Sequence, residues 1–300
     1  MLTQKFLAPV VLFVYARADH TQRTITALAA NPEAIDTDLI IYADAARDDK
    51  DAVKVQSVRD VISNVKGFKS VTLHLREQNI GLARNIIEGV SNVVQQYGRV
   101  IVLEDDIVTS PAFLGFMNAA LEKYKTEPKV WHISGWNYPI EYQENFLWRT
   151  MNCWGWATWR DRWVEFDRNP SKIINSWDDS SINRFNLDGT HDFWSQIKDN
   201  HNGKLNTWAI FWYATIFINN GLCLNPGKTL VHNIGNDGSG ENCKDEDLYA
   251  QELDDVICSL DFPCEIEESE LAVISIKRFM KVYRGSFLRR ILRKIKGAVM

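Results

Sequence analysis

Arg99–Asp106 reads Arg-Val-Ile-Val-Leu-Glu-Asp-Asp (RVIVLEDD). Four consecutive β-branched or aliphatic residues followed by three acids describe a buried strand whose carboxyl end carries charge. Three other apolar runs precede it: Val10–Tyr15 (VVLFVY), Asp38–Ala43 (DLIIYA) and Val71–Leu75 (VTLHL). Helical periodicity fills the gaps over Thr21–Ala30, with Thr21 as the expected cap, and over Asp51–Asn64 and Leu82–Gln96. Strands alternating with helices of this length predict an α/β fold, a mostly parallel sheet flanked by helices on both faces. Ligands of such sheets bind beyond the carboxyl ends of the strands. The positions that matter are therefore Arg17, Asp44, the segment Arg76–Gly81, and Glu104-Asp105-Asp106.

The acid triplet is the strongest local signal. Adjacent carboxylates at a strand end repel one another unless a cation or solvent relieves them. Oxygen-only ligands suit Mn2+ or Mg2+, with substrate phosphates and water completing the shell. The plainer alternative is a solvated acidic turn before a helix starting at Ser110-Pro111. Asp44 is suited to accept the imide N–H of a uracil ring, and Arg17 to contact base or phosphate. A loop acid and a surface ion pair are the competing readings.

Composition narrows the classes. The 300 residues are 45% hydrophobic and 24% charged, a globular profile, and the net charge of -5 argues against nucleic acid as a partner. That charge is unevenly placed. The first 270 residues sum to -14, whereas nine Lys and Arg from Lys277 to Lys296 face no acid. Ser275–Met300 also carries Ile276, Phe279, Met280, Phe287, Leu288, Ile291, Leu292 and Ile295 at helical spacing, which predicts an amphipathic helix on an anionic membrane surface. A basic helix packing back on the acidic body is the alternative. Phe6–Ala16 is too short to span a bilayer, and its β-branched content favours a strand over a signal peptide. Five cysteines without a CxxC pair imply reduced thiols in a cytoplasmic protein, peripheral at most on the inner face of the membrane.

All eleven tryptophans lie between Trp131 and Trp212, and periodicity is weak from Gly135 to Asn206. A helix over Trp208–Asn219 and a loop rich in Gly and Asn over Asn225–Asn242 follow. The expected organisation is one half over 1–130, a second half over 131–265 continuous with it, and a basic tail over 266–300. Indole can stack on the C–H faces of sugars, although most of the eleven are expected in the core.

Val100–Lys125, Val130–Asn137 (VWHISGWN) and Trp154-Gly155-Trp156 resemble N-acetylglucosaminyltransferase I and its bacterial relatives. The resemblance runs from about Pro9 to Gly240. It implies a GT-A (nucleotide-diphospho-sugar transferase) fold and an inverting, metal-dependent hexosyl or N-acetylhexosaminyl transferase (EC 2.4). Its implied donor is a UDP-sugar, GlcNAc first, and its acceptor a glycan or lipid-linked sugar in bacterial surface-polysaccharide assembly. By position it implies Asp106 as the metal ligand, with Glu104 and Asp105 on the donor's sugar and ribose. Arg17 and Asp44 would hold the uridine, Asn79 and Gly81 would line the nucleotide pocket, and Gly155 and Trp156 would border the transferred sugar and acceptor.

One departure matters. The family's catalytic base is an aspartate shortly before a tryptophan, and here Asn206 stands in Asn206-Thr207-Trp208. An amide takes no proton at neutral pH. The base is then Asp178 or Asp179, or Asp192, or transfer activity has been lost; a displaced base is favoured. His232, before Asn236–Gly240, is placed to touch metal or phosphate, or merely to brace the base of a closing loop. A sugar-1-phosphate nucleotidyltransferase would share the acids but needs a Gly-rich loop, and Ala16–Thr24 has no glycine. A non-catalytic nucleotide-sugar or glycan binder is the second rival.

Overall fold

A computed structural model describes residues 7–235, 249, 251, 253 and 260–282. Ten strands are found among them: β1 (Val10–Val14), β2 (Asp38–Ala43), β3 (Ser70–Leu75), β4 (Arg99–Glu104), β5 (Ile107–Thr109), β6 (Val130–Ser134), β7 (Phe146–Trp148), β8 (Trp156–Trp159), β9 (Leu222–Asn225) and β10 (Val231–Asn233). The helices are α1 (Ala18–Ala29), α2 (Asp49–Ile62), α3 (Leu82–Tyr97), α4 (Phe113–Lys123), α5 (Arg160–Trp163), α6 (Pro170–Ser176), α7 (Asp179–Phe185), α8 (Trp194–His201), α9 (Ala209–Ile218) and α10 over 270–282.

Eight strands form one sheet in the order β3-β2-β1-β4-β8-β6-β9-β7. The first four are mutually parallel, β8 runs against both β4 and β6, and β7 runs against β9. β5 and β10 make a separate antiparallel pair beside the end of β4. The apolar run read as a strand rather than a signal peptide contains β1, wholly buried with β2 and β4 on either side.

The repeating strand–helix pattern folds as it does because each helix has one apolar face to bury. α3 buries Ile86, Val90, Val93 and Val94, each contributing about 1.5–3 kcal/mol relative to exposure. Gly89 lets that helix sit on the sheet, since a Cβ there would come within 2.7 Å of the Phe13 ring. Two local expectations are corrected. α1 begins at Ala18, and Thr21 is not its cap: it lies inside the first turn and donates its hydroxyl to the Arg17 carbonyl (2.8 Å). β3 is not buried on both faces, because it is the edge strand and exposes Leu73 and Leu75.

In the second half, the weakly periodic stretch resolves into short strands and helices around α9, whose residues Ile210 to Phe217 are all buried. Nine of the eleven tryptophans are buried, with only Trp154 and Trp177 half-exposed, so this half is held by its aromatic core. The described part of Ser275–Met300, residues 275–282, is helical. It turns Ile276 and Met280 into the core, and Phe279 packs against it half-buried. Lys277 pairs with Asp188. These apolar residues therefore face the protein body rather than a membrane; the remainder of the tail, like the Asn236–Gly240 loop, Cys243 and Cys258, lies outside the described residues. None of the helices among the described residues is long and apolar enough to cross a membrane.

Candidate functional site

The register of the parallel strands fixes where the chemistry gathers. Phe13 lies beside Glu104 and Val14 beside Ala43, so Arg17, Asp44 and the acid triplet emerge along one edge of the sheet. α1 braces this edge. Arg17 is its N-cap residue, Thr24 donates its hydroxyl to the Asp105 carbonyl (2.9 Å), and His20 lies 3.3 Å from the Ile234 carbonyl.

Arg17 binds both aspartates, pairing with Asp105 and, through Nη2, with Asp106 Oδ2 (2.8 Å). Burial works against its charge, but the two carboxylates hold its pKa above the usual arginine value. Burial raises Asp105 in spite of Arg17, with the Asp106 charge adding to it. Glu104 is pushed up to about 8, first by burial and then by the charges of Asp106 and Asp105, with Arg17 pulling the other way. One guanidinium thus faces three carboxyl groups, and the corner accepts more positive charge. Arg17 Nη1 is buried without a hydrogen-bond partner among the described residues.

The chain returns over this corner through β10. Ile234 N–H donates to the Asp106 carbonyl (2.9 Å), and Gly235 follows directly above the side chains. A Cβ on Gly235 would collide with Asp106 Oδ2 and come within 2.8 Å of Arg17 Nη1. Sequence reasoning missed Gly235. Nothing in Ile234-Gly235 marks it except glycine itself, and the requirement comes from a close approach between residues far apart in the chain.

Asp44 is buried and its carboxylate accepts three backbone N–H groups, Oδ1 from Ala45 (2.9 Å) and Ile80 (3.0 Å) and Oδ2 from Gly81 (2.9 Å). Asn79 donates to the Ala45 carbonyl (2.7 Å). Asp44 and Asn79 therefore tie the segment after β3 to the end of β2. Gly81 has φ +77° at the start of α3, a conformation open to glycine, and a Cβ there would meet open space.

Trp156 has no exposed surface, stacking on Trp208 (5.2 Å between centroids) and His132 (5.4 Å) in the centre of the aromatic core, whereas the sequence places it beside the transferred sugar. Gly155 is buried with φ +61° and packs against Val231 and Phe113. Its neighbour Trp154, half-exposed, is the indole of this motif that reaches a cavity. His232 lies in β10 opposite Val108, both half-buried and on the face away from Asn233 and Ile107.

The base candidates lie on other elements. Asp178 caps α7 by accepting from Ser181 N–H (2.8 Å), and hydrogen bonding with the Ser181 side chain first and its backbone second holds its carboxyl below the usual range, which weakens it as a base. Asp179 is exposed in the same first turn. Asp192 is exposed and accepts from Ser195 N–H (3.0 Å) at the start of α8. Asn206 is exposed and accepts from Arg168 (2.5 Å). The structure links none of the four to the acid corner among the described residues.

Among the described residues no three His, Cys, Asp or Glu side chains gather to enclose a metal. The excess of carboxylate over guanidinium fits a cation bound by one carboxylate and finished by phosphate oxygens and water, and the partnerless Arg17 Nη1 fits an anionic oxygen beside it.

A largely parallel sheet with an acid cluster at its central strand end, covered by a returning strand, is the GT-A arrangement, and the protein is a glycosyltransferase of the class that takes sugar from a nucleotide donor. Residues 1–186 match the model of the GNT-I family, and the chain belongs to that family. Among solved structures it is similar to the mannosyltransferase PcManGT from Pyrobaculum calidifontis, determined in complex with GDP-Man and Mn2+. There the identity is 13%, the coverage 71% of this chain and 71% of that one, and the TM-score 0.39. It is also similar to S. aureus TarS, at 9% identity and a TM-score of 0.45, covering 76% of this chain and 37% of TarS. No curated protein matches the chain.

Proposed function

We propose that this chain is an inverting glycosyltransferase that moves a sugar, GlcNAc first, from a UDP-sugar to a glycan or lipid-linked acceptor. Bacterial surface-polysaccharide assembly is the proposed setting. The carrying observation is the corner in which one arginine binds two of three buried or half-buried carboxyl groups beneath Gly235. Asp106 would hold Mn2+ or Mg2+. When bound, such a cation neutralises charge on the diphosphate leaving group.

The chain's own residues divide the remaining work. Arg17 keeps Asp105 and Asp106 turned into the corner and offers its free Nη1 to an anionic donor. Asp44 and Asn79 hold the segment after β3 in one conformation, so the nucleotide side of the site is shaped before a donor arrives. Gly235 closes the corner from above and limits water there. The acceptor hydroxyl gives its proton to a base, its oxygen attacks the anomeric carbon from the face opposite the diphosphate, and UDP leaves. A base brought close by acceptor binding fits the spread of Asp178, Asp179 and Asp192 better than Asn206, whose amide is engaged by Arg168. Contact with an anionic membrane surface is proposed for the basic tail beyond α10, since the apolar side of 275–282 is taken up by the core.

The test is UDP release from UDP-GlcNAc and other UDP-sugars with Mn2+, comparing wild type with Asp106→Ala. Release lost in the variant supports the proposal. A wild-type protein that binds UDP-sugars and releases nothing, with or without candidate acceptors, is the binder that Asn206 suggests.

A further inference from the structure

α1 turns polar side chains toward the acid corner. Arg17, its N-cap residue, His20 and Thr24 stand at i, i+3 and i+7, the spacing of one helical stripe, and His20 and Thr24 are buried with Ile25 and Leu28. A core-facing stripe is ordinarily apolar, so polar side chains placed there need partners across the interface. Each of the three has a different one. Arg17 takes the Asp105 and Asp106 carboxylates, Thr24 donates its hydroxyl to the Asp105 carbonyl (2.9 Å), and His20 Nε2 lies 3.3 Å from the Ile234 carbonyl. A carbonyl oxygen only accepts, so Nε2 is the donor and carries a hydrogen.

Ile234 is thereby held through both of its backbone groups. Its N–H carries the β5–β10 ladder one step past the Asn233–Ile107 pair, donating to the Asp106 carbonyl (2.9 Å), and its carbonyl receives from His20. That carbonyl and the Gly235 N–H belong to one planar peptide. The N–H side of the plane donates to Asn233 Oδ1 (2.8 Å), a bond local to the turn. The His20 bond is the one that ties the plane to a distant element. Directly after it, Gly235 comes so close to Asp106 Oδ2 and Arg17 Nη1 that no Cβ fits.

α1 is also anchored at its far end. Asn31, just past the helix, donates to Thr109 Oγ1 (3.3 Å) at the end of β5 and accepts from Leu114 N–H (2.8 Å) in α4. The helix that carries His20 therefore lies fixed along β5, and His20 extends that hold to the chain leaving β10.

We infer that His20 is a positioning residue for the donor site: its Nε2–H bond keeps the Ile234–Gly235 peptide over Asp106 and Arg17. His20 acts through Gly235, while Arg17 and Asp106 do the binding. One helix then sets both the acid pair and what closes over it, so the corner keeps its shape before a donor arrives. The assignment rests on the transferase reading for the donor, and on the geometry alone for the hold on Ile234.

Two variants of the full chain separate the bond from the packing. His20→Phe keeps a ring and loses the donor, whereas His20→Gln restores an N–H the same number of bonds from Cα as Nε2. Backbone hydrogen exchange over 231–235, taken relative to β1, is measured without ligand, and UDP affinity with Mn2+ by calorimetry. His20→Phe should speed exchange over 231–235 relative to β1 at least about fivefold, a local opening rather than a global one. UDP binding with Mn2+ should weaken about 3- to 10-fold in the same variant, the worth of one hydrogen bond. His20→Gln should return both to within about twofold of wild type. The inference is overturned if exchange over 231–235 relative to β1 is unchanged in His20→Phe, if His20→Gln behaves as His20→Phe does, or if His20→Phe binds UDP as wild type does. A wild type that binds no UDP, with the exchange results as expected, removes the transferase reading and leaves His20 as the residue that holds Ile234.

Discussion

Acidification should weaken this fold through His132, and the size of the effect follows from its surroundings. The imidazole sits on β6 with no exposed surface, stacked on Trp156. Trp212 Nε1–H lies 3.2 Å from Nδ1, and Nε2 lies 3.0 Å from the Asn152 carbonyl. An indole N–H can only donate, so Nδ1 accepts and Nε2 carries the proton. A second proton on Nδ1 would confront a donor in an apolar core. Burial drives the pKa down to about 3, opposed in part by the Asn152 carbonyl. The unfolded chain takes up this proton near pH 6.5, and the folded one refuses it until about pH 3. The stabilisation is therefore complete above 6.5 and is lost as pH falls below it, by about 2 kcal/mol at pH 5 and about 5 kcal/mol at the acid limit. Urea unfolding of wild type and His132→Gln at pH 8 and pH 5 measures it, because titrations common to both proteins cancel in their difference. The stability gap between them should shift against wild type by about 2 kcal/mol from pH 8 to pH 5. A gap unchanged within about 0.5 kcal/mol would refute the assignment of a neutral, doubly bonded imidazole.

Removing Arg17 as Arg17→Met should leave Asp105 and Asp106 buried without their countercharge, lowering stability by about 3 kcal/mol or more, with Mn2+ restoring part of the loss in a thermal melt. Gly235→Ala should reduce donor turnover at least about tenfold and lower the melting temperature, because the added Cβ collides with Asp106 and presses on the Arg17 that pairs with it. Glu268→Ala should cost about 1–3 kcal/mol and increase proteolysis near α10, since Arg149 holds that carboxylate by paired bonds (Nε to Oε2 2.8 Å, Nη2 to Oε1 2.5 Å). Equal cleavage rates in wild type and variant would contradict that role.

Local chemistry was readable from residue order. β1, β2 and β4 are short apolar runs bounded by polar residues, α3 is a clear amphipathic period, and the acids end the one run most strongly marked as buried. Each of these signals is complete within about fifteen residues. Asp178 and Asp192 show the limit of such reading: an acid three residues before Ser181 or Ser195 at a helix start is also the pattern of a cap, and both side chains make cap bonds. The aromatic half was less legible still. Tryptophan looks the same in a sequence whether it fills a core or lines a cavity, and the difference between Trp156 and Trp154 is two positions and one glycine turn.

What the chain order determined by itself was the alternation of strands and helices, and hence the edge at which Arg17, Asp44 and the triplet would emerge, because side-chain period and strand direction are properties of neighbouring residues. Only the tertiary structure decided that Arg17 clamps two of the acids, that Asp44 is spent on the backbone of Ile80 and Gly81, that Gly235 lies on Asp106, and that β3 is an exposed edge. Those outcomes depend on distances between segments brought together from up to about 220 positions apart, and long-range packing of that kind leaves no periodicity along the chain.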